Sequence, residues 1–172
     1  MKKFSAVAAV SVFFAFPVLA ADSGFYIGGN VGAASTDVGG TSLSKSSDTS
    51  LGLIGGYQFT KYFAVEGQYD DMGKIGYGNN YALKADSLSA IGIFPIPDTR
   101  FSLRGKLGYA RTSIDAPNTS AENGVVIGIG GQYMITRAIG INVGLDRYDV
   151  GNSSAIPGGY TTQFYTGVSY KF

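Results

Sequence analysis

The sequence predicts an all-β fold, an eight-stranded antiparallel up-and-down transmembrane β-barrel, on three observations. First, the closing residues alternate strictly, with Tyr160, Thr162, Phe164, Thr166, Val168, Tyr170 and Phe172 on one face and Thr161, Gln163, Tyr165, Gly167, Ser169 and Lys171 on the other. A period of two puts successive side chains on opposite faces of a strand. Second, eight such segments recur, joined alternately by long polar stretches and tight turns. Third, after the first twenty residues there is no apolar run of roughly eighteen residues. Any spanning structure must then be a closed barrel, because lipid offers no partner to an open sheet edge.

The N-terminus has a separate role. Lys2 and Lys3 precede an apolar run from Phe4 to Leu19, and Val18, Leu19, Ala20 and Ala21 supply small residues for cleavage. This is the pattern of a secretory signal peptide, residues 1–20, cut after Ala20 and leaving residues 21–172 as one barrel domain.

The first strand is expected over about residues 24–34, with Phe25, Ile27, Gly29 and Val31 on one face. The second covers about 50–59, with Leu51, Leu53, Gly55, Tyr57 and Phe59. Between them, the Ser-, Thr- and Gly-rich residues 35–49 read as a loop. The third, about 62–70, sets Phe63, Val65, Gly67 and Tyr69 against Ala64, Glu66, Gln68 and Asp70, and only Thr60 and Lys61 separate it from the second, as in a hairpin. The fourth, about 81–94, is ambiguous in phase: Leu83, Ile91 and Ile93 favour one face, Leu88 and Phe94 the other, which a bulge would reconcile.

After a short turn at residues 95–99, the fifth segment, about 100–111, alternates Phe101, Leu103, Gly105, Leu107 and Tyr109 with Ser102, Arg104, Lys106, Gly108 and Ala110. The sixth presents Val125, Ile127, Ile129, Gly131 and Tyr133. After a turn at 135–137, the seventh presents Ile139, Ile141, Val143 and Leu145 against Gly140, Asn142, Gly144 and Asp146. Residues 150–159 form the last loop, before the eighth strand ends on the aromatic Phe172, an end read as embedded or recognised.

Long and short connections in strict alternation give an even strand number, with both termini at the short-turn end, the asymmetry of outer-membrane barrels. Each segment has about the nine to eleven residues a tilted membrane strand needs. Aromatic residues suggest two interfacial girdles: Phe25, Phe59, Tyr62, Phe63, Phe94, Phe101, Tyr133 and Phe172 at the short-turn end, and Tyr69, Tyr109, Tyr148 and Tyr160 at the other. Glycines such as Gly28, Gly108, Gly128 and Gly144 recur inside the runs, where a narrow barrel needs gaps.

Composition narrows the chemistry. Loss of Lys2 and Lys3 with the signal takes the net charge from +1 to −1, so bulk attraction to nucleic acid is not a feature. With no Cys and no His, thiolate metal sites, His-ligated metals and His-based triads are excluded, and neither cofactor nor catalytic residue is expected.

If the apolar faces meet lipid, the lumen phase receives Glu66, Asp70, Arg104, Lys106, Asp146 and Lys171, three acids facing three bases. Eight strands leave room only for the barrel's own side chains. An unpaired ion there costs several kcal/mol, so the six are expected to pair as a network that plugs the lumen and fixes register. A narrow ion path through exchanging pairs is the competing reading. Glu66 and Asp70, two pleats apart, have the spacing of paired carboxylates, but neighbouring bases would hold both ionised. Arg147 falls in the lipid phase near the outer end, where a guanidinium can pair with lipopolysaccharide phosphates, or where a local bulge or a strand already clear of the membrane would place it. Asp70, Asp71 and Asp149, near the outer rim, are at most a weak divalent-cation site.

The residues resemble a known family, the small barrels similar to the membrane domain of OmpA. The resemblance rests on Gly24-Phe25-Tyr26-Ile27-Gly28-Gly29, Gly56-Tyr57-Gln58-Phe59 leading to Val65-Glu66, Lys106-Leu107-Gly108-Tyr109 and the final Gly167-Val168-Ser169-Tyr170-Lys171-Phe172, in this order and spacing over nearly the whole mature chain. It implies insertion by the barrel assembly machinery reading the terminal strand, with Phe164, Val168, Tyr170 and Phe172 as the signal, and a lumen of acid–base pairs. Larger members continue into a peptidoglycan-binding domain; this sequence ends at Phe172, so no peptidoglycan-binding domain is expected.

The expected function is that of a non-enzymatic integral outer-membrane barrel, contributing to envelope integrity and surface interaction through its long loops. The alternatives are a small gated, porin-like channel for ions or small solutes and, disfavoured by the absence of His, a lipid-modifying barrel enzyme. A soluble ligand-binding barrel would need the reverse sidedness, with apolar residues inside.

Overall fold

The computed structural model describes residues 23–38, 47–75, 81–114, 121–150 and 159–172, so the expected signal peptide lies outside the described residues. Eight strands, β1 (Gly24–Val38), β2 (Ser47–Thr60), β3 (Phe63–Ile75), β4 (Tyr81–Pro95), β5 (Phe101–Ile114), β6 (Glu122–Met134), β7 (Ile139–Val150) and β8 (Gly159–Lys171), pair antiparallel with their sequence neighbours, and β8 closes on β1. This is the predicted barrel. Pairing from Tyr26 through Gly56, Glu66, Ser89, Gly108, Val126, Tyr148 and Thr161 returns to β1 at Thr36, ten residues beyond its start. That stagger tilts the strands and fixes which inward side chains meet across the lumen.

Sidedness follows the alternation. Leu53, Phe94 and Ile129 are 67%, 65% and 73% exposed, whereas Glu66, Asp70 and Asp146 are at most 2% exposed. Apolar side chains therefore coat the outside and the carboxylates line the inside, the arrangement lipid requires.

The strands differ from the sequence expectation in four places. The 35–49 segment is not all loop, because β1 and β2 remain paired as far as Ser35 and Ser47. Tyr62 belongs to the Lys61–Tyr62 turn, where its N–H donates to Thr60 Oγ1 at 3.2 Å. β4 carries no bulge: its register against β5 runs unbroken from Leu83 to Pro95. Both faces of β4 are apolar because Leu83, Ile91 and Ile93 fill the lumen while Leu88 and Phe94 face lipid. The irregularity sits on β3 instead, between Asp71 and Lys74, where Gly73 adopts φ 78°. A bulge of this kind favours glycine in the left-handed region.

The fourth difference concerns the outer girdle. Tyr69 and Tyr109 face outward, but Tyr148 is fully buried in the lumen. Its number is even, in phase with Asp146 on β7, so alternation sends it inward despite its position near the strand end.

Candidate functional site: the lumen

Four of the six predicted lumen ions converge. Glu66 Oε2 accepts from Arg104 Nη2 at 2.9 Å and from the Tyr26 hydroxyl at 2.9 Å, while its Oε1 lies 3.2 Å from Lys106 Nζ. Lys106 also reaches Asp146 Oδ2 at 2.7 Å and donates to Gln68 Oε1. One lysine thus bridges two carboxylates contributed by β3 and β7. Gly128 makes room for this: a Cβ there would collide with the Asp146 carboxylate.

The remaining two predicted ions are placed differently. Asp70 faces the lumen with no ion pair among the described residues; its carboxylate accepts from three neutral donors, Gln68 Nε2 at 2.8 Å, the Tyr148 hydroxyl at 2.8 Å and Gln163 Nε2 at 3.2 Å. Three donors compensate a buried carboxylate much as a cation would. The expectation that neighbouring bases hold it is corrected accordingly. Lys171 lies below the network at the short-turn mouth, donating to Gln58 Oε1 at 3.1 Å.

The network has an apolar lid. Toward the loop end, Ala34, Met72, Leu83, Ala85, Ala110, Val126 and Tyr148 form one buried cluster; toward the turn end, Tyr26, Ala64, Ile91 and Ile93 form a second along one wall. On β3 the order Ala64, Glu66, Gln68, Asp70, Met72 shows the stacking: apolar, polar, apolar along a single strand. Of these lumen partners, Tyr26, Gln68 and Gln163 carry no sequence signal of their own and Tyr148 is expected in the outer girdle, although alternation places each in the lumen phase. What the sequence lacks is the stagger that sets them opposite the acids.

At the outer rim, Asp70 points inward while its neighbours Asp71 and Asp149 point outward, and no three acidic, His or Cys residues cluster among the described residues, so the weakly expected divalent-cation site is not assembled. Arg147 faces outward, as expected from its phase, and its guanidinium lies 3.5 Å from the Tyr160 ring centroid. The Tyr160 hydroxyl in turn donates to Asp37 Oδ2 at 3.3 Å. On β8, Phe164, Val168 and Tyr170 are exposed to the lipid side, and Tyr170 meets the ring of Phe172 edge-on at 5.0 Å.

A closed eight-stranded barrel, apolar outside and ionic within, is an integral protein of the outer membrane. The chain belongs to the family of the outer membrane protein beta-barrel domain, whose model matches residues 6–172. No match was found among curated proteins. Among solved structures it is similar to Neisserial surface protein A, at 19% identity and TM-score 0.68, over 87% of this chain and 99% of that one. It is also similar to the N-terminal barrel of Pseudomonas aeruginosa OprF, at 19% identity and TM-score 0.58, over 88% and 98%. A third is Ail, the attachment invasion locus protein of Yersinia pestis, solved with the heparin analogue sucrose octasulfate, at 17% identity and TM-score 0.59, over 88% and 99%. At these identities the likeness is one of fold, and it bears out the resemblance to OmpA-type small barrels.

Proposed function

We propose that this barrel is a non-enzymatic, non-conducting element of the outer membrane that supports envelope integrity and presents its loop end to the surroundings. The observation that carries this reading is the lumen itself, where Arg104, Glu66, Lys106 and Asp146 are tied together under an apolar lid. An ion crossing it would have to break buried charge pairs and shed its water in an apolar layer, each step costing several kcal/mol. Planar-bilayer recording tests it: the protein is expected to show no steady conductance, and a steady conductance altered in Glu66→Gln would overturn the reading.

The gated-channel alternative rests on one contact pattern. Lys106 touches both Glu66 and Asp146, so it can exchange between them without being left unpaired. An intermittent conductance of the wild-type protein that is lost in Asp146→Asn, where one of those carboxylates is gone, would favour that alternative.

Contact with lipid is assigned to Arg147. Stacking on Tyr160 holds its guanidinium at the outer, lipid-facing rim, where it can pair with a lipopolysaccharide phosphate. Arg147→Gln is expected to weaken binding of lipopolysaccharide to the folded barrel while leaving its stability within about 0.5 kcal/mol. Phe164, Val168, Tyr170 and Phe172 are assigned to recognition by the barrel assembly machinery, and residues 1–20 to a cleaved signal. An extracellular ligand, as in the Yersinia barrel solved with a sulfated sugar, would engage the loop end, whose connecting segments lie outside the described residues.

A further inference from the structure

The turn end of the barrel opens into a cavity of about 300 Å³, continuous with a wider mouth lined by Arg100, Arg137 and Lys171. Lys61, Arg104, Arg137 and Lys171 all line the cavity, and no Asp or Glu does among the described residues. At its floor, the Nε of Arg104 is buried without a hydrogen-bond acceptor among the described residues, although Nη2 of the same guanidinium is held by Glu66. Glu66 is itself committed to Arg104, Lys106 and the Tyr26 hydroxyl. The neutral groups around the cations, Gln58, Ser102, Gln132 and Ser169, supply further hydrogen-bonding atoms.

A concave site walled in part by Tyr26, Ile93 and Pro95 concentrates the field of its cations, since low-dielectric walls limit screening. Its volume is at the lower end of ordinary ligand pockets, roughly 300 to 1,000 Å³, which suits a small group. Four cations from the Lys61–Tyr62 turn, the 135–138 turn, β5 and β8 converge on one hollow that faces the periplasm. We propose that this vestibule is an anion-binding site for a phosphate group, with Arg137, Lys171 and Lys61 at the rim and Arg104 at the floor. The phosphate belongs either to a small soluble anion of the periplasm or to the headgroup of an inner-leaflet lipid. This site is independent of whether the barrel conducts.

The test is calorimetric titration of inorganic phosphate into the full-length barrel in phosphatidylcholine nanodiscs, at fixed ionic strength. Saturable binding is expected. It should weaken by about tenfold in a Lys61→Gln/Arg137→Gln double variant, because each lost cation removes a charge-assisted contact, and stay unchanged in Arg111→Gln, an exposed cation at the loop end of β5. Both substituted residues lie on exposed turns, and the heat-dependent gel shift of the double variant checks that it folds. If exchanging part of the phosphatidylcholine for phosphatidylglycerol abolishes phosphate binding, the lipid headgroup is the occupant; if binding persists, the occupant is soluble. Absence of saturable binding in the wild-type protein, or equal affinity in the double variant, overturns the proposal.

Discussion

Asp70 shows how a buried carboxylate can be held by neutral donors. Its three donors are neutral, so removing one tests the arrangement without touching any ion pair. Tyr148→Phe is expected to destabilise the barrel by about 1.5 to 3 kcal/mol, the worth of a hydrogen bond to a charged group. Tyr109→Phe, on the outside, should stay within about 0.5 kcal/mol. Urea unfolding in micelles, followed by circular dichroism, distinguishes them. The neighbouring ion pair behaves differently: Glu66→Gln leaves Arg104 and half of Lys106's partnership uncompensated and should cost about 3 to 5 kcal/mol, whereas Glu66→Gln with Arg104→Gln should recover part of that loss. Equal losses in single and double variants would show that the pair is not energetically coupled. Alternation in the sequence places Glu66, Asp70, Arg104, Lys106 and Asp146 in the lumen. It cannot tell that Glu66 meets Arg104 while Asp70 meets Tyr148, because those partners are 38 and 78 residues apart and are matched only by the strand stagger.

Within a single strand, the two faces make opposite demands on the same residue type. On β5, Gly108 points inward, where a Cβ would run into Ser89 and the Leu88 carbonyl, while Gly105 points outward into open space. Gly108→Ala is therefore expected to destabilise by about 1 to 3 kcal/mol through overpacking. Gly105→Ala should be neutral or stabilise by roughly 0.5 to 1 kcal/mol, since a glycine in a strand costs conformational entropy without a packing return. Thermal refolding yields and unfolding midpoints of the two variants read this directly. β4 marks the limit of the pattern. With Ile91 and Ile93 inside and Leu88 and Phe94 outside, hydropathy carries no phase, and only pairing with Gly108 and Lys106 on one side and Glu66 and Ala64 on the other fixes which face is which. Elsewhere, strand number, order and sidedness were readable because one face of each segment had to satisfy lipid. Boundaries at the loop end were not, because polar residues such as Ser35 and Ser47 can lengthen a strand beyond the membrane as readily as they can form a loop.

For the molecule as a whole, lipid is the solvent that sorts its two surfaces. A charge forced onto the middle of the outer face, as in Ile129→Arg, should cost about 2 to 4 kcal/mol, against about 0 to 1 kcal/mol near the interface. The intact barrel should migrate differently on electrophoresis with and without boiling, and Ile129→Arg should lose that difference at a lower temperature. Buffer solubility without detergent, or no boiling shift, would send the fold back to a soluble barrel. The seam between β1 and β8 carries a further consequence. β1 depends on a strand more than a hundred residues further along the chain, since Tyr26 to Val38 find their second neighbour only in Gly159 to Lys171. The ring can therefore close only once β8 is in place, and a barrel without β8 would leave one edge of β1 without a backbone partner in the membrane.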